Sequence, residues 1–478
     1  MLTRRKLNIA ALSALLFPSF AFSSSYQKAD VIVVGGGAAG LAAAARAAEL
    51  GLSVILLEKE KTLGGNSLKA SGYISGVFPV IQKVSGVIDT SQNYYEEILR
   101  NAGEAADKEK IRLLAFESTK SLEWLVKVGV RFQNQIFYVS GERFGRSYKP
   151  VLPNGIAYVR SLSEYALHFG TQIYCESKVS GFLKNSIGNI CGVIAQQNHS
   201  THYFYANRGV VLATGGFSAN KDLIQKYAPQ FAHLTHNNHP GATGDLLLEV
   251  QNLGGLLRDM DILQCQPGCP PGRTKRVRLH NEVDRFILFN QNGKRFIRED
   301  APRNLMTQAV LSEPNQYAYI LVDDEGFRSY NQLIQKETVL CVESGDAWMA
   351  ESLKELEGKI YVPSKSLEQT ILLYNRGVDR KKDEFGKSSH LLSHKIQTPP
   401  FWVGRVGMSR HATSGGVATS PFGRVLRKDG GVLEGLWAAG ETVGGIHGLN
   451  QMGGNGLADA ITFGRLAAED IVVTNKIT

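Results

Sequence analysis

Cysteine is scarce in this 478-residue chain: there are five, at Cys175, Cys191, Cys265, Cys269 and Cys341. An odd, scattered set excludes a disulfide framework as the organising principle of the fold. No Cys-x-x-Cys-His occurs, which excludes a c-type haem attached to this sequence, and no cysteine run of the iron–sulfur kind occurs. Cys265 and Cys269 stand close together in Cys-Gln-Pro-Gly-Cys. A disulfide and a pair of unrelated thiols both remain open there. No segment reaches the ~18 uninterrupted apolar residues that a membrane helix needs, so no stable membrane insertion of a mature chain is expected. Internal repeats and low-complexity linkers are lacking. The net charge is +9, but the basic residues are spread along the chain, with part of the excess at the N-terminus and from Arg273 to Arg285. Without a nucleic-acid motif, that charge reads as solvated surface, and no nucleic-acid partner is expected.

What is present describes a folded protein of two or three domains: charged residues make up 20% and apolar content is ordinary. Residues 1–25 read as an export signal. Thr3-Arg4-Arg5-Lys6 is cationic, Leu7 to Phe17 is apolar but too short to span a bilayer, and Ala21-Phe22-Ser23 offers small residues for cleavage. The paired arginines resemble a twin-arginine signal, with periplasmic localisation as the expectation. An ordinary secretory signal or a retained anchor is the alternative.

Asp30 to Val34 is a short β-branched run that reads as a buried parallel strand. Gly35-Gly-Gly-Ala38-Ala39-Gly40 follows, then an Ala-rich helix that stops at Gly51, then a second strand, Ser53 to Leu57, closed by Glu58. This β-α-β context turns a weak Gly-x-Gly-x-x-Gly signal into a specific one. Gly35 permits the tight turn, Gly37 lets a phosphate approach the backbone, and Gly40 lets helix and strand pack closely. The helix N-terminus then faces a pyrophosphate with free N–H groups. Glu58 would accept hydrogen bonds from ribose hydroxyls, and its charge disfavours a 2′-phosphate.

Further strands run into glycine turns at Ala213-Thr214-Gly215-Gly216 and at Gly440-Glu441, and Gly64-Gly65-Asn66-Ser67 and Asn455-Gly456 add more. Glycine-rich turns that return along the whole length of one ligand suit an extended FAD better than a short NAD groove. The fold expected is α/β: a Rossmann-like FAD-binding domain, a parallel sheet with helices, interrupted by an α+β capping domain. The FAD domain spans 26–262 and 411–478, and the cap 263–410.

At these residues the chain resembles the fumarate reductase/succinate dehydrogenase flavoprotein family, and within it the soluble flavocytochrome c fumarate reductases and related ene-reductases. The motifs are Gly64-Gly-Asn-Ser67, Ala213-Thr-Gly-Gly-Phe217, His239-Pro-Gly-Ala-Thr-Gly-Asp245, Gly293-Lys-Arg-Phe296 and Ala439 to Gly448. The resemblance implies a FAD site that also takes in Lys59, Ser71, Gly72, Asn220, Asp245 and Leu457. Where membrane-bound members attach FAD covalently through a histidine, this chain has Asn66, so the flavin is expected to be held non-covalently. The resemblance further implies hydride transfer from flavin N5 to an activated double bond of a small molecule. Electrons would come from a separate cytochrome c or another donor.

Arg303 falls on the family's proton-donor position, with Glu299 in its family place and Glu282 at the position of the relay arginine. Arg278 and Asp284 are further candidates in that loop. The family's carboxylate-binding arginine is replaced by Gln451, ahead of Gly453 and Gly454. The second histidine of the His-His-Thr motif is lost in His411-Ala412-Thr413, and His-Pro becomes Gln266-Pro267. Removing a bidentate cation from one end of the cavity weakens the case for fumarate itself. Gln266, His411, Thr413, Gln451, Gly453 and Gly454 form the expected substrate site. No metal site is expected. Two alternatives remain: a ketosteroid-type dehydrogenase, and an electron-transfer subunit without substrate chemistry of its own.

Overall fold

The computed structural model describes residues 26–139, 142–280 and 282–474. The export-signal expectation for residues 1–25 lies outside them. One eight-stranded sheet organises the first and last parts of the chain. Its centre is the strand Tyr26–Val34, parallel to Val54–Leu57 on one side and to Ser200–Leu212 on the other. Gln172–Tyr174 extends it in parallel beyond Val54–Leu57, and Val432–Ala438 extends it beyond Ser200–Leu212. Residues 31–34 and 54–57 are all buried, as continuous apolar runs in a sheet covered on both faces must be. An antiparallel meander, Lys178–Lys184 and Ile190–Gln197, leads into Ser200–Leu212.

Two helices cover the centre of this sheet, Ala38–Glu49 and Asn455–Val473. Small residues let them approach closely: a Cβ on Gly464 would lie 2.4 Å from the carbonyl oxygen of Ala39. The middle of the C-terminal helix thus packs on the start of the first helix, and Glu469 near its end takes Arg46 at 2.9 Å.

The inserted residues form a second sheet, five strands long and antiparallel throughout, from Leu263–Gly268, Ile287–Phe289, Ala318–Val322, Ala347–Ala350 and Phe401–Thr413. Alternate residues of Ala318–Val322 feed different cores. Ile320 and Val322 join the cluster around Val277 and Leu279, whereas Tyr319 and Leu321 join the one around Leu367 and Tyr374. The strand Phe401–Thr413 runs unbroken past residue 410, with Thr413 paired to Leu263. His411 and Thr413 are thus delivered to the domain junction by a rigid strand rather than by a linker. All five thiols are free, including Cys265 and Cys269.

Candidate active site

The first glycine turn is shaped by contacts that admit no side chain. Gly35 has φ +106°, and a Cβ there would lie 2.3 Å from the oxygen of Ala213; one on Gly40 would lie 1.9 Å from the oxygen of Gly35. Gly37 is different. The nearest atom to its Cβ position is Ser67 Oγ at 3.6 Å, and Gly215, with φ +76°, has nothing within 4 Å. Gly215 faces open space and Gly37 meets only ordinary van der Waals contact, which leaves the backbone accessible for close approach of a ligand. Ser67 Oγ accepts the Ala38 N–H at 2.9 Å, fastening the loop Gly64–Ser67 to the helix start. Glu58 is buried and accepts from Gly36 N–H at 2.6 Å and Glu60 N–H at 2.8 Å, which fixes its carboxylate beside the turn.

Lys59 reaches across to Asp245 at 2.7 Å and Thr243 at 2.8 Å, and this contact holds the Asp245 carboxyl below its usual range against the opposing effect of burial. Asn220 is spent on local structure. Its Oδ1 caps the helix Lys221–Tyr227 through Asp222 and Leu223 N–H, and its amide donates to Thr243 O at 2.9 Å. Ser71 is exposed, and the Gly72 carbonyl accepts the Tyr158 hydroxyl at 2.9 Å. Thr214 Oγ1 donates to the Asp245 carbonyl at 3.1 Å.

At the other end of the groove, Glu441 ties three elements together. It accepts from Thr413 N–H at 3.1 Å and from Asn66 Nδ2 at 3.4 Å, while Asn66 Oδ1 accepts the His239 N–H at 2.7 Å. Burial raises the Glu441 pKa, yet the side chain keeps some accessible surface, as expected of a group lining a cavity. Asn455 opens the C-terminal helix after Gly454, whose φ is +74°. The Tyr94 hydroxyl donates to Asn455 Oδ1 at 2.8 Å, but Asn455 Nδ2 is buried without a partner. Leu457 is buried, and Gly456 lies against the amide of Gln451. An open glycine cradle, an acceptor at the ribose end and an unused amide donor at a helix start fit FAD.

Beyond Glu441 lies the junction with the cap. Arg303 begins the helix Arg303–Ser312, and its guanidinium has no hydrogen bond or ion pair among the described residues. Burial alone lowers its pKa, to about 10, and no carboxylate acts on it. His280 and His411 are both pushed down to about 3, first by burial and then by the nearby charges of Arg303 and Arg276. His411 Nδ1 lies 3.1 Å from Asn237 Oδ1. Thr413 is committed to Glu441 rather than free for a substrate. The Gly453 carbonyl accepts the Ser75 hydroxyl at 2.9 Å, and a Cβ on Gly454 would lie 2.2 Å from Ser75 Oγ. Gln451 makes no side-chain hydrogen bond among the described residues.

The structure does not bring the two expected carboxylates to Arg303. Glu299 is held at 2.8–2.9 Å by Arg295, at 3.3 Å by Lys387 and at 3.1 Å by Leu288 N–H, and is consumed as a buried anchor of the cap. Glu282 sits near Lys149, Asp284 and Arg285, with its pKa raised by burial. Arg278 is paired with Glu337 at 2.6 Å, and Asp284 accepts the Ser393 hydroxyl at 2.9 Å. Gln266 is half-buried on its strand, whereas Gln264 donates to the Gln451 carbonyl at 2.9 Å. Sequence reasoning missed Arg276, His280, Gln264 and Asn450. The alternation of buried Val277 and Leu279 with Arg276, Arg278 and His280 was the signal available for the first two.

A split α/β domain with such a cradle, capped by a second domain that delivers an arginine without a carboxylate partner, defines a flavin-dependent oxidoreductase. The family model described as "FAD binding domain" matches residues 30–457, and the chain belongs to that family and binds FAD. It is 30% identical over 457 residues to the fumarate reductase (cytochrome) of Shewanella frigidimarina, covering 95% of this chain and 79% of that protein. The open conformation of a flavocytochrome c3 fumarate reductase superposes with a TM-score of 0.75 at 28% identity, covering 93% of this chain and 78% of that one. The 3-ketosteroid-Δ4-(5α)-dehydrogenase of Rhodococcus jostii RHA1 gives a TM-score of 0.75 at 26% identity, covering 93% and 97%.

Proposed function

We propose that the protein reduces an activated carbon–carbon double bond of a small molecule and that Arg303 delivers the proton. The observation that carries this reading is a half-buried guanidinium at the domain junction with a lowered pKa and no carboxylate to hold its proton. Bound FAD supplies hydride chemistry. The chain supplies the rest: Glu58 and the glycine turn hold the adenosine end, and Glu441 with Asn66 and the start of the Asn455–Val473 helix positions the other end. An arginine is ordinarily a poor acid. Desolvation here brings it closer to the range in which proton donation is effective. The similarity to a fumarate reductase over most of the chain supports the same reaction class.

Gln451 makes fumarate a poor match, because no cation stands at that position to pair with a carboxylate. Asn66 has no nucleophile for a covalent flavin link, and its amide is occupied by His239 and Glu441. We infer non-covalent FAD, so acid precipitation should leave the flavin in solution.

The second reading, dehydrogenation of a ketosteroid, draws on the similar structure from Rhodococcus jostii RHA1. Against it, the tyrosine bonded to the helix start, Tyr94, is driven above its normal range by burial and already donates to Asn455. A phenol so placed stays protonated and offers no phenolate to act as a base. Anaerobic re-oxidation of the dithionite-reduced protein by a panel of α,β-unsaturated acids, amides and ketones tests the proposal. Turnover with at least one supports it. Silence across the panel, together with reduction of the oxidised flavin by saturated ketosteroids, replaces it with the second reading.

The electron donor we propose is a separate protein such as a cytochrome c, and the location the periplasm, reached through Arg4 and Arg5. Among the described residues no helix is long and apolar enough to cross a membrane. Replacing Arg4 and Arg5 by Lys should leave FAD-loaded protein in the cytoplasm; unchanged periplasmic yield would refute the twin-arginine route.

A further inference from the structure

Short oxygen–oxygen contacts link Glu142, Ser147, Ser75 and Gly453 just ahead of the C-terminal helix. Glu142 Oε1 lies 2.6 Å from Ser147 Oγ and 2.9 Å from Ser75 Oγ, the two serine oxygens are 2.6 Å apart, and Ser75 Oγ is 2.9 Å from the Gly453 carbonyl oxygen. Such a contact is attractive only with a proton in it, and each serine brings one. Gly453 O can only accept, so it takes the Ser75 proton, and the Ser147 proton goes to Glu142. The contact from Glu142 Oε1 to Ser75 Oγ is then empty unless the carboxyl itself carries a proton. Ser75, Ser147 and Glu142 are 1%, 0% and 7% exposed, so bulk water does not supply the missing donor. Charge leads to the same count. The Arg146 guanidinium is spent on Asp89 at 2.8 and 3.0 Å and on Glu97 at 2.5 Å, two carboxylates for one cation, and no ion pair reaches Glu142 among the described residues. The other groups facing it are the phenols of Tyr73, Tyr94 and Tyr148, which burial keeps protonated. Burial likewise raises the Glu142 carboxyl, against the opposing effects of the two serines and Arg146.

The Ser75 hydroxyl is what seats the turn at the helix start. Gly453 is buried, Gly454 has φ +74°, and a Cβ on Gly454 would lie 2.2 Å from Ser75 Oγ. Asn455, the next residue, opens the helix and accepts the Tyr94 hydroxyl at 2.8 Å. We infer that Glu142 is a neutral carboxylic acid whose O–H donates to Ser75, and that it is a positioning residue: through the Ser75 hydroxyl it holds the turn Gly453–Asn455 in place for FAD. Ionisation undoes this. A carboxylate accepts from both serines, draws the Ser75 proton away from Gly453 O and leaves that buried carbonyl without its donor. FAD binding thereby becomes sensitive to pH through a side chain that need not touch the cofactor.

Two measurements test this, neither of them turnover. Apoprotein is titrated with FAD at about pH 6.5 and about pH 9.5, on either side of the Glu142 transition. Wild-type affinity should fall about two- to tenfold between them, the worth of one hydrogen bond. Glu142→Gln, whose amide donates to Ser75 at every pH, should keep the low-pH affinity at both. The infrared difference spectrum between FAD-loaded wild type and Glu142→Gln should show the carbonyl band of one carboxylic acid at the lower pH and lose it at the higher. Carboxylate bands in its place at the lower pH would overturn the inference, as would an equal fall in FAD affinity in the two proteins. If Glu142→Gln does not fold, the wild type decides alone: the acid band and the FAD affinity should be lost with one midpoint, and separate midpoints would overturn the inference. No substrate is present in either measurement, so failure of the Arg303 reading would leave both results unchanged.

Discussion

The side-chain oxygen of Asn450 accepts the backbone N–H of Arg303 at 2.9 Å. The helix Arg303–Ser312 follows Pro302, which offers no side-chain cap, so one of its unpaired N–H groups is satisfied from a distant segment. Asn450 also donates to Asn101 Oδ1 at 3.0 Å and lies 3.5 Å from Gln264 Nε2. One buried amide therefore registers the cap against the FAD domain at the residue proposed to move the proton.

Asn450→Leu should preserve volume and remove all three contacts. The expected cost is that of a lost helix cap, about 0.5–2 kcal/mol, read as a lower melting temperature. FAD content should stay full, and kcat should fall more than KM changes, because Arg303 loses its position rather than its chemistry. A variant with wild-type kcat would show that the cap is registered by other contacts.

How much of this was written in the sequence varies by residue. The turn from Gly35 to Glu58 was legible because its glycines are demanded by steric contacts within a single β-α-β unit. Glu299 was misleading. Its partner Lys387, and Asp383 on the other side of Arg295, come from a remote part of the cap and are brought to it only by the fold. Gln266 was singled out because Gln266-Pro267 stands where the family has His-Pro; Gln264, buried two residues earlier, had no such motif and shows its bond to the Gln451 carbonyl only in the fold. Asn450 carried no local signal at all, since its partners are Asn101, Gln264 and Arg303, each from a different element.

Glu58→Ala should weaken FAD binding. The carboxylate is held by Gly36 and Glu60 N–H, so its loss removes both a ribose acceptor and the brace of the turn. The loss should be on the order of 1–3 kcal/mol, as for a charged hydrogen bond. Fluorescence titration of the apoprotein with FAD measures it, and unchanged affinity in folded protein would remove Glu58 from the cofactor site.

Glu142 offers a pH test. Its carboxyl is buried, pushed up to about 8, accepts the Ser147 hydroxyl at 2.6 Å and lies 2.9 Å from Ser75 Oγ beside the Gly453 turn. A carboxyl raised in the folded state binds more protons there than in the unfolded chain. Its contribution is therefore complete below the ordinary glutamate range and is lost as pH rises through about 8. Wild-type melting temperature should decline across that window, and Glu142→Gln, neutral at every pH, should decline less. Parallel curves for the two proteins would show that Glu142 does not titrate there.

Arg303→Ala should keep FAD and fold while losing most substrate reduction. A positioned general acid is worth ~10²–10⁴-fold, and the substitution also removes a cation from beside the developing charge. Arg303→Lys should recover little, because an ammonium on a different stem does not reproduce the guanidinium geometry. Flavin reduction by dithionite should be nearly unaffected, since it does not use an acid on the substrate side. Asn450 will still hold the residue 303 N–H in both variants, so the backbone of the helix start is unchanged and the loss is that of the side chain alone. The decisive quantity is the rate at which a productive enoate re-oxidises the reduced Arg303→Ala protein. A rate equal to wild type would make Arg303 structural and move the search for the proton donor to Arg276 and His280, the other groups that act on His411.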